Sequence, residues 1–401
     1  MRSLGRTLVD YLRRLKGAAE ITAGLSAMYF IYSIQIIVFS LLYPLIEGRK
    51  EILALLPVMN DLRGDIFGST GARMNTSLNI GEVRASSSSL VRLEAKPVSA
   101  LTLLMSTTII IVTFSYSLTL GERFNFGVMM LIGLIATLIA TVILLPYTAF
   151  IVSEFFRRGW DPGNVMPSLV TGAGDLITLP TLVLAFFIVA HGIPSPAYPI
   201  LALLLVSLSI SIFIASILSG GSRTKRILKE RTLVLAAIIV LQPIAGISMA
   251  TFEEELAGRG LIHLVVAFIG VNGALASVAG VRLSVFLHLY GYRGVRGALT
   301  SISFDVLASA IPASLLVALV GYAFLPPGAS FEVGLPGFLV TVMLATMAAV
   351  VLGLTISFSI ALGAFKLNLD PDNVAIPLIT TVMDVLGILV LYVASSIIAA
   401  I

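Results

Sequence analysis

Long apolar stretches separated by short polar breaks run through the whole chain, and this pattern limits the folds open to it. We read eleven such stretches along the 401 residues. Each has the roughly 20 residues that an α-helix needs to cross the hydrocarbon core of a bilayer. Only 11% of residues are charged and 58% are hydrophobic, whereas a soluble domain carries about 25% charged residues. The pattern therefore predicts an all-α polytopic membrane protein embedded in a lipid bilayer.

The predicted spans follow one another with short connections. They lie at residues 20–46, 53–80, 98–120, 126–155, 164–191, 197–219, 232–252, 261–290, 298–325, 336–364 and 373–400. Residues 1–19 are rich in Arg and Lys, and we expect them to form a basic amphipathic segment on the cytoplasmic surface of the membrane.

The basic residues predict how the chain is oriented, because Lys and Arg in short loops are retained on the cytoplasmic side. Most of them lie before the odd-numbered spans, whereas the acidic run at residues 253–255 lies on the opposite side. We therefore expect a cytoplasmic N-terminus, an outside C-terminus and a location in the cell membrane. The net charge of +4 follows from this topology, so no nucleic-acid partner is expected.

A short motif occurs twice and indicates an internal repeat. Residues 161–165 read Asp-Pro-Gly-Asn-Val and residues 370–374 read Asp-Pro-Asp-Asn-Val, which is an offset of 209. The same offset relates further pairs, namely Gly64 and Gly273, Gly71 and Gly280, Arg73 and Arg282, Thr171 and Thr380, and Asp175 and Asp384. Separate motifs that share one offset favour a duplication.

The duplication predicts two five-helix repeats, at residues 20–195 and 232–401, joined by a linking helix and a basic cytoplasmic loop at 196–231. Five spans is an odd number, so the linking helix would return the chain and leave both repeats facing the same way. We expect a monomeric pseudo-dimer with a two-fold axis along the membrane normal. A site on that axis would be lined by both repeats.

Asp175 and Asp384 are the strongest candidates for function. Each lies about ten residues into a predicted span, where a carboxylate costs about 2.5–3.5 kcal/mol on insertion scales. They occupy matching repeat positions, so the pseudo-two-fold axis would bring them together. Two adjacent carboxylates repel each other unless a proton or a cation lies between them.

The available ligands favour a hard divalent cation at this pair. Carboxylate, carbonyl and water oxygens suit Mg²⁺, Ca²⁺ or Mn²⁺. The chain has no Cys and three His, and none of the His are paired at ligand spacing, so a zinc site is not expected. Thr171 and Thr380 lie one helical turn before the two Asp residues, where they would line the ion path or bond to their own helices.

Asp65 lies in a glycine-rich span, within Arg63-Gly64-Asp65. It is a candidate cation ligand or entrance charge, and pairing with Arg63 is the alternative. The glycines at 64, 68 and 71 permit either close helix packing or an unwound turn that exposes carbonyl oxygens.

Paired intramembrane Asp residues leave other functions open. They would also serve as proton or Na⁺ relay groups in a secondary transporter, as the catalytic pair of an intramembrane aspartyl enzyme, or as solitary structural groups. A scaffold would not explain two costly carboxylates at matching positions. The repeat symmetry favours transport over catalysis.

Several segments resemble one known family. Residues 377–387, with Asp384, resemble the final-helix signature of the MgtE magnesium channels and the solute carrier family 41 transporters, and residues 167–176 resemble its first copy in fused, two-repeat members. Residues 62–76 and 79–81 are similar to that family's second-helix motif.

The resemblance implies a non-enzymatic Mg²⁺ channel or carrier in which Asp175 and Asp384 contribute to a central cation site. The family motif commonly has Asn where this chain has Asp65. In the second repeat the matching position is Ala274, and Asn272 lies two residues earlier, which makes Asn272 a further candidate ligand. A coupled transporter of Mn²⁺ or Co²⁺ is the main alternative.

Overall fold

Helices make up nearly all of the described chain. The computed structural model describes residues 2–120, 126–160, 162–219, 221–325, 334–367 and 371–399. Within these ranges there are eleven α-helices, and short 3₁₀ turns at Ser195–Ala197 and Ile262–Leu264 precede the sixth and eighth. The helices are α1 Arg2–Ile46, α2 Lys50–Asn79, α3 Ser87–Leu120, α4 Phe126–Arg157, α5 Pro162–Gly192, α6 Tyr198–Ser219, α7 Ser222–Gly258, α8 Val265–Tyr290, α9 Val295–Ala323, α10 Gly334–Lys366 and α11 Pro371–Ala399.

The predicted all-α polytopic membrane fold is confirmed. A helix satisfies its backbone hydrogen bonds within one segment, which the hydrocarbon core of a bilayer requires. Seven helices of the described chain, α1, α4, α5, α8, α9, α10 and α11, contain stretches that are long and apolar enough to cross a membrane. The count of eleven spans stays a prediction.

Two helices extend further than the predicted spans. The basic segment at 1–19 runs without a break into the first span, since α1 begins at Arg2, and it does not form a separate helix in the described residues. The basic loop before the seventh span is likewise the first part of α7. Ala, Leu, Lys, Arg and Glu dominate both junctions, and these residues favour continued helix.

The two halves of the bundle pack their helices in the same way. In the first half, α5 packs against α1, α2 and α4, and α3 packs against α4. In the second half, α11 packs against α7, α8 and α10, and α9 packs against α10. Helices α1 to α5 therefore pack against one another in the same pattern as helices α7 to α11.

The contacts between the halves follow the same correspondence between helices. Helix α2 packs against α7 and α11, and the corresponding helix α8 packs against α1 and α5. Helix α6 lies against α3 and α4, and it exposes Ile200, Leu203 and Leu208. The interior between the halves is thus formed by α1, α2, α5 and their counterparts α7, α8, α11.

Matching glycines allow the second helix of each half to approach the final helix. A side-chain carbon at Gly280 in α8 would lie 2.7 Å from Ile379 Cδ1 in α11. A carbon at Gly71 in α2 would overlap Met166 in α5. Of the two expectations for these glycines, the contacts support close packing. This packing holds the Asp-bearing parts of α5 and α11 beside α2 and α8.

Candidate cation site

The two final-helix carboxylates are buried, and each accepts a hydrogen bond from the first helix of its own half. Asp175 lies near the middle of α5 and Asp384 near the middle of α11, with 5% and 8% of their surface exposed. The Tyr32 hydroxyl in α1 donates to Asp175 Oδ2 at 2.8 Å. The Gln242 side-chain amide in α7 donates to Asp384 Oδ2 at 3.1 Å. Hydrogen bonds of this kind offset part of the cost of burying a charge.

Asp61 in α2 is a third buried carboxylate, which the internal repeat does not predict. It accepts hydrogen bonds from Gln242 Nε2 at 2.6 Å, Thr381 Oγ1 at 2.6 Å and Thr380 Oγ1 at 3.1 Å. One amide nitrogen of Gln242 therefore bridges Asp61 and Asp384. The available signal was its position four residues before Asp65, which places both on one helix face.

The three carboxylates come from both halves and influence one another. Asp61 lies within electrostatic range of both Asp175 and Asp384, and the latter two also interact with each other. In the described residues, no three Asp, Glu or His side chains approach closely enough to form a ready-made metal cage. Buried carboxylates that influence one another repel unless a proton or a cation is bound between them.

Arg63 lies in α2 two residues after Asp61 and is almost completely buried, with 1% of its surface exposed. Its Nη2 donates to the Ala136 carbonyl in α4 at 3.0 Å. Its charge interacts with Asp175, so this carboxylate has a nearby positive group. The Nε and Nη1 atoms have no hydrogen-bond partner in the described part of the chain.

Two amide oxygens beside the carboxylates are free to accept. Gln35 Nε2 donates to the main-chain carbonyl of Asp175 at 3.0 Å. The Oε1 atoms of Gln35 and Gln242 are buried and have no donor among the described residues. Buried acceptors without a donor are uncommon in proteins.

The remaining predicted site residues take different positions. Thr380 joins the cluster through Asp61. Thr171 faces the glycines of α2, because a carbon on Gly64 would lie 3.4 Å from its Cγ2. Asp65 is half-buried, one turn beyond Asp61. Asn272 in α8 is buried, donates to the Phe268 carbonyl at 2.8 Å, and its Oδ1 has no donor in the described residues.

Two arginines at matching positions form ion pairs away from the cluster. Arg73 in α2 pairs with Glu94 in α3 at 2.8 Å, and Arg282 in α8 pairs with Asp305 in α9 at 2.7 Å. Asp305 therefore has a structural partner outside the cluster. The offset between Glu94 and Asp305 is two residues longer than 209, so a fixed-offset comparison does not match them. Asp161 and Asp370 of the repeated motif lie outside the described residues.

Comparison with known families places the geometry in context. A family model named MgtE and described as a divalent cation transporter matches residues 56–185 and again 265–394. The two matches cover more than half of the chain and are displaced by the same 209 residues as the repeated motif.

Curated relatives agree with this family match. Solute carrier family 41 member 3 of Rattus norvegicus is 24% identical over 375 residues, covering 86% of this chain and 79% of the rat protein. The Mus musculus member 3 is 23% identical and Xenopus laevis member 2 is 22% identical. The chain spans 56% and 64% of the length of these two proteins. No solved structure matches significantly.

Proposed function

The chain belongs to the MgtE family of divalent cation transporters, and on this premise we propose that it moves Mg²⁺ across the cell membrane along a path between its two halves. In this proposal the cation is held by Asp61, Asp175 and Asp384. The protein acts as a monomeric pseudo-dimer with a cytoplasmic N-terminus and an outside C-terminus.

One observation carries the proposal, which is the bridge that Gln242 makes between Asp61 and Asp384. It joins a carboxylate of the first half to one of the second half in the buried interior. Asp175 lies within electrostatic range of both. Each carboxylate costs about 2.5–3.5 kcal/mol at the centre of a bilayer, and a transported cation would offset this cost for the carboxylates of the cluster.

The oxygen ligands of the cluster are compatible with Mg²⁺. Mg²⁺ prefers oxygen ligands, dehydrates reluctantly and usually keeps several waters. Carboxylates that contact the ion partly through water select for divalent charge while permitting release. The free oxygens of Gln35 and Gln242 would accept hydrogen bonds from those waters.

The other candidate residues belong to the path. Thr380 orients Asp61 by its hydrogen bond, and Asn272 offers an unpaired oxygen from α8. Asp65 and Thr171 lie one turn from Asp61 and Asp175 along their helices, and we assign them to the continuation of the path toward the basic loops.

Flux measurements test this proposal. Purified protein in liposomes should take up Mg²⁺, and Asp175→Asn or Asp384→Asn should reduce uptake at least about tenfold, which corresponds to about 1.4 kcal/mol. Asp305→Asn is the matched control, because this Asp lies in α9 and pairs with Arg282. Uptake that is normal in both Asn variants would overturn the proposal.

Uptake into the same liposomes also distinguishes a channel from a coupled carrier. We expect uptake driven by the Mg²⁺ gradient and the membrane potential alone, without a Na⁺ or proton gradient. Uptake that requires one of these gradients would identify a coupled carrier. Uptake that prefers Mn²⁺ or Co²⁺ would identify a transporter of another ion.

A further inference from the structure

Arg63 is the one strongly buried cation beside the carboxylates in the described residues, and the proposed function gives it no role. It is 1% exposed, although Arg is almost never fully buried unless it is paired. One carbonyl hydrogen bond satisfies one of its three nitrogens. A buried charge with so few partners is expensive, so its retention near Asp175 indicates that its charge matters there.

The second half of the chain lacks this charge. The residue at the matching position is Asn272, which is also buried. The position that matches Asp61 is Gly270, and a side-chain carbon there would lie 2.6 Å from the Tyr32 ring. The first half therefore supplies an additional carboxylate and an additional guanidinium, and the second half supplies neither.

This difference makes the two final-helix carboxylates unequal. Asp175 accepts from the Tyr32 hydroxyl. Arg63 packs against the same turn of α5, since a side-chain carbon on the neighbouring Gly174 would lie 3.8 Å from Arg63 Cβ. Asp384 shares the amide of Gln242 with another carboxylate. Three ionised carboxylates and one guanidinium leave a net charge of −2, which one divalent cation neutralises.

We propose that Arg63 is a built-in counter-cation that offsets Asp175, so that the cluster carries the charge of one divalent ion and holds it loosely enough for release. This inference rests on the proposed function. It assigns Arg63 a positioning and charge-balancing role, in which the guanidinium does not contact the transported ion.

The proposal predicts opposite effects for the two partners. Arg63→Asn, which copies the residue of the second half, removes a positive charge and should tighten Mg²⁺ binding at least about tenfold while slowing uptake. Asp175→Asn leaves Arg63 unbalanced and should weaken binding at least about tenfold. Arg63→Lys keeps the charge and serves as the control, with binding close to wild type.

The decisive experiment combines the two changes. Mg²⁺ titration of purified Asp175→Asn/Arg63→Asn should show binding restored to within about threefold of wild type, because the net charge returns to −2. Asp175→Asn/Arg63→Lys should remain as weak as Asp175→Asn alone. Melting without metal is recorded for every variant, so that loss of folding is recognised separately.

A second variant leaves Arg63 in place. Asn272→Asp adds a carboxylate of nearly the same size in the second half, and Asp175→Asn/Asn272→Asp should also recover binding. Binding by the wild type without recovery in either charge-restoring double variant would overturn the role of Arg63. A wild type that binds no divalent cation would instead contradict the proposed function.

Discussion

Asp61 has the most extensive hydrogen bonding of the three clustered carboxylates. Two threonines of α11 and Gln242 of α7 donate to it, so these hydrogen bonds connect the first half to the second. Its neighbour across the Gln242 bridge is another carboxylate, and the repulsion between them is relieved when a cation binds. In the proposed function, Asp61 therefore couples ion binding to the contact between the halves.

Replacing Asp61 by Asn should raise the melting temperature and reduce the stabilisation by Mg²⁺. The change removes one of two repelling buried charges, so the protein should melt at a higher temperature without divalent cations. The stabilisation that Mg²⁺ gives to the wild type should be largely lost. Thermal melting with and without Mg²⁺ measures both effects, and Asp305→Asn is the control. A Mg²⁺ response equal to that of wild type would count against Asp61 as a cation-site residue.

The carboxylates of the cluster that were predicted from the sequence are those that occupy matching positions in the two repeats. Asp175 and Asp384 share the offset of 209 and the motif around it. Asp61 was missed because its counterpart is Gly270, and internal symmetry gives no signal for a residue present in one half only. Tyr32 and Gln242 make equivalent contacts but differ by one residue from that offset, so only packing identifies them as counterparts.

At the level of helices, α2 and α8 hold the final helices by packing and hold the third helices by ion pairs. Both ion pairs join a second helix to a third helix, yet their surroundings differ. The Glu94 side chain is fully buried and that of Arg73 is 19% exposed, whereas those of Arg282 and Asp305 are 44% and 46% exposed. Burial decides how much an ion pair contributes, because solvent screens exposed pairs.

The two pairs should therefore respond differently to loss of the carboxylate. Glu94→Gln leaves a mostly buried guanidinium without its charged partner and should destabilise the protein by about 3 kcal/mol. Asp305→Asn should cost at most about 1 kcal/mol. Unfolding of the two purified variants in detergent, compared with wild type, measures the difference. Equal losses would show that burial does not control these contacts.

Helix existence was predictable from apolar stretches, but helix ends were not. Apolar stretches predict where the bilayer-length segments lie. Helices α1 and α7 continue beyond them through basic residues, because Lys and Arg favour helix as well as apolar residues do. The pairing of Arg282 with Asp305 was likewise not predicted, because it depends on how α8 and α9 are aligned along their lengths.

At the level of the whole molecule, the same helix contacts occur within each half and are exchanged between the halves. Helix α2 meets α7 and α11 just as α8 meets α1 and α5. The interior between the halves is therefore formed by the first, second and final helices of each half. The internal repeat in the sequence predicts two halves related by a two-fold axis, but it does not predict the unequal charges between them, since Asp61 and Arg63 occur only in the first half.

The predicted orientation in the membrane can be tested by cysteine labelling, since the native chain has no Cys. Gly192 at the end of α5 and Ser222 at the start of α7 are both exposed and lie on opposite predicted sides. In intact cells, a membrane-impermeant thiol reagent should label Gly192→Cys and should not label Ser222→Cys. Both should react after the cells are opened. The reverse pattern would contradict the cytoplasmic N-terminus.

Direct Mg²⁺ binding to the purified protein tests whether carboxylates of both halves together hold one divalent cation. Equilibrium dialysis should find one Mg²⁺ bound to the wild type and to Asp305→Asn. Affinity should fall at least about tenfold in Asp384→Asn and in Asp61→Asn, which alter opposite halves. Wild-type affinity in both of these variants would contradict a cation site shared by the two halves.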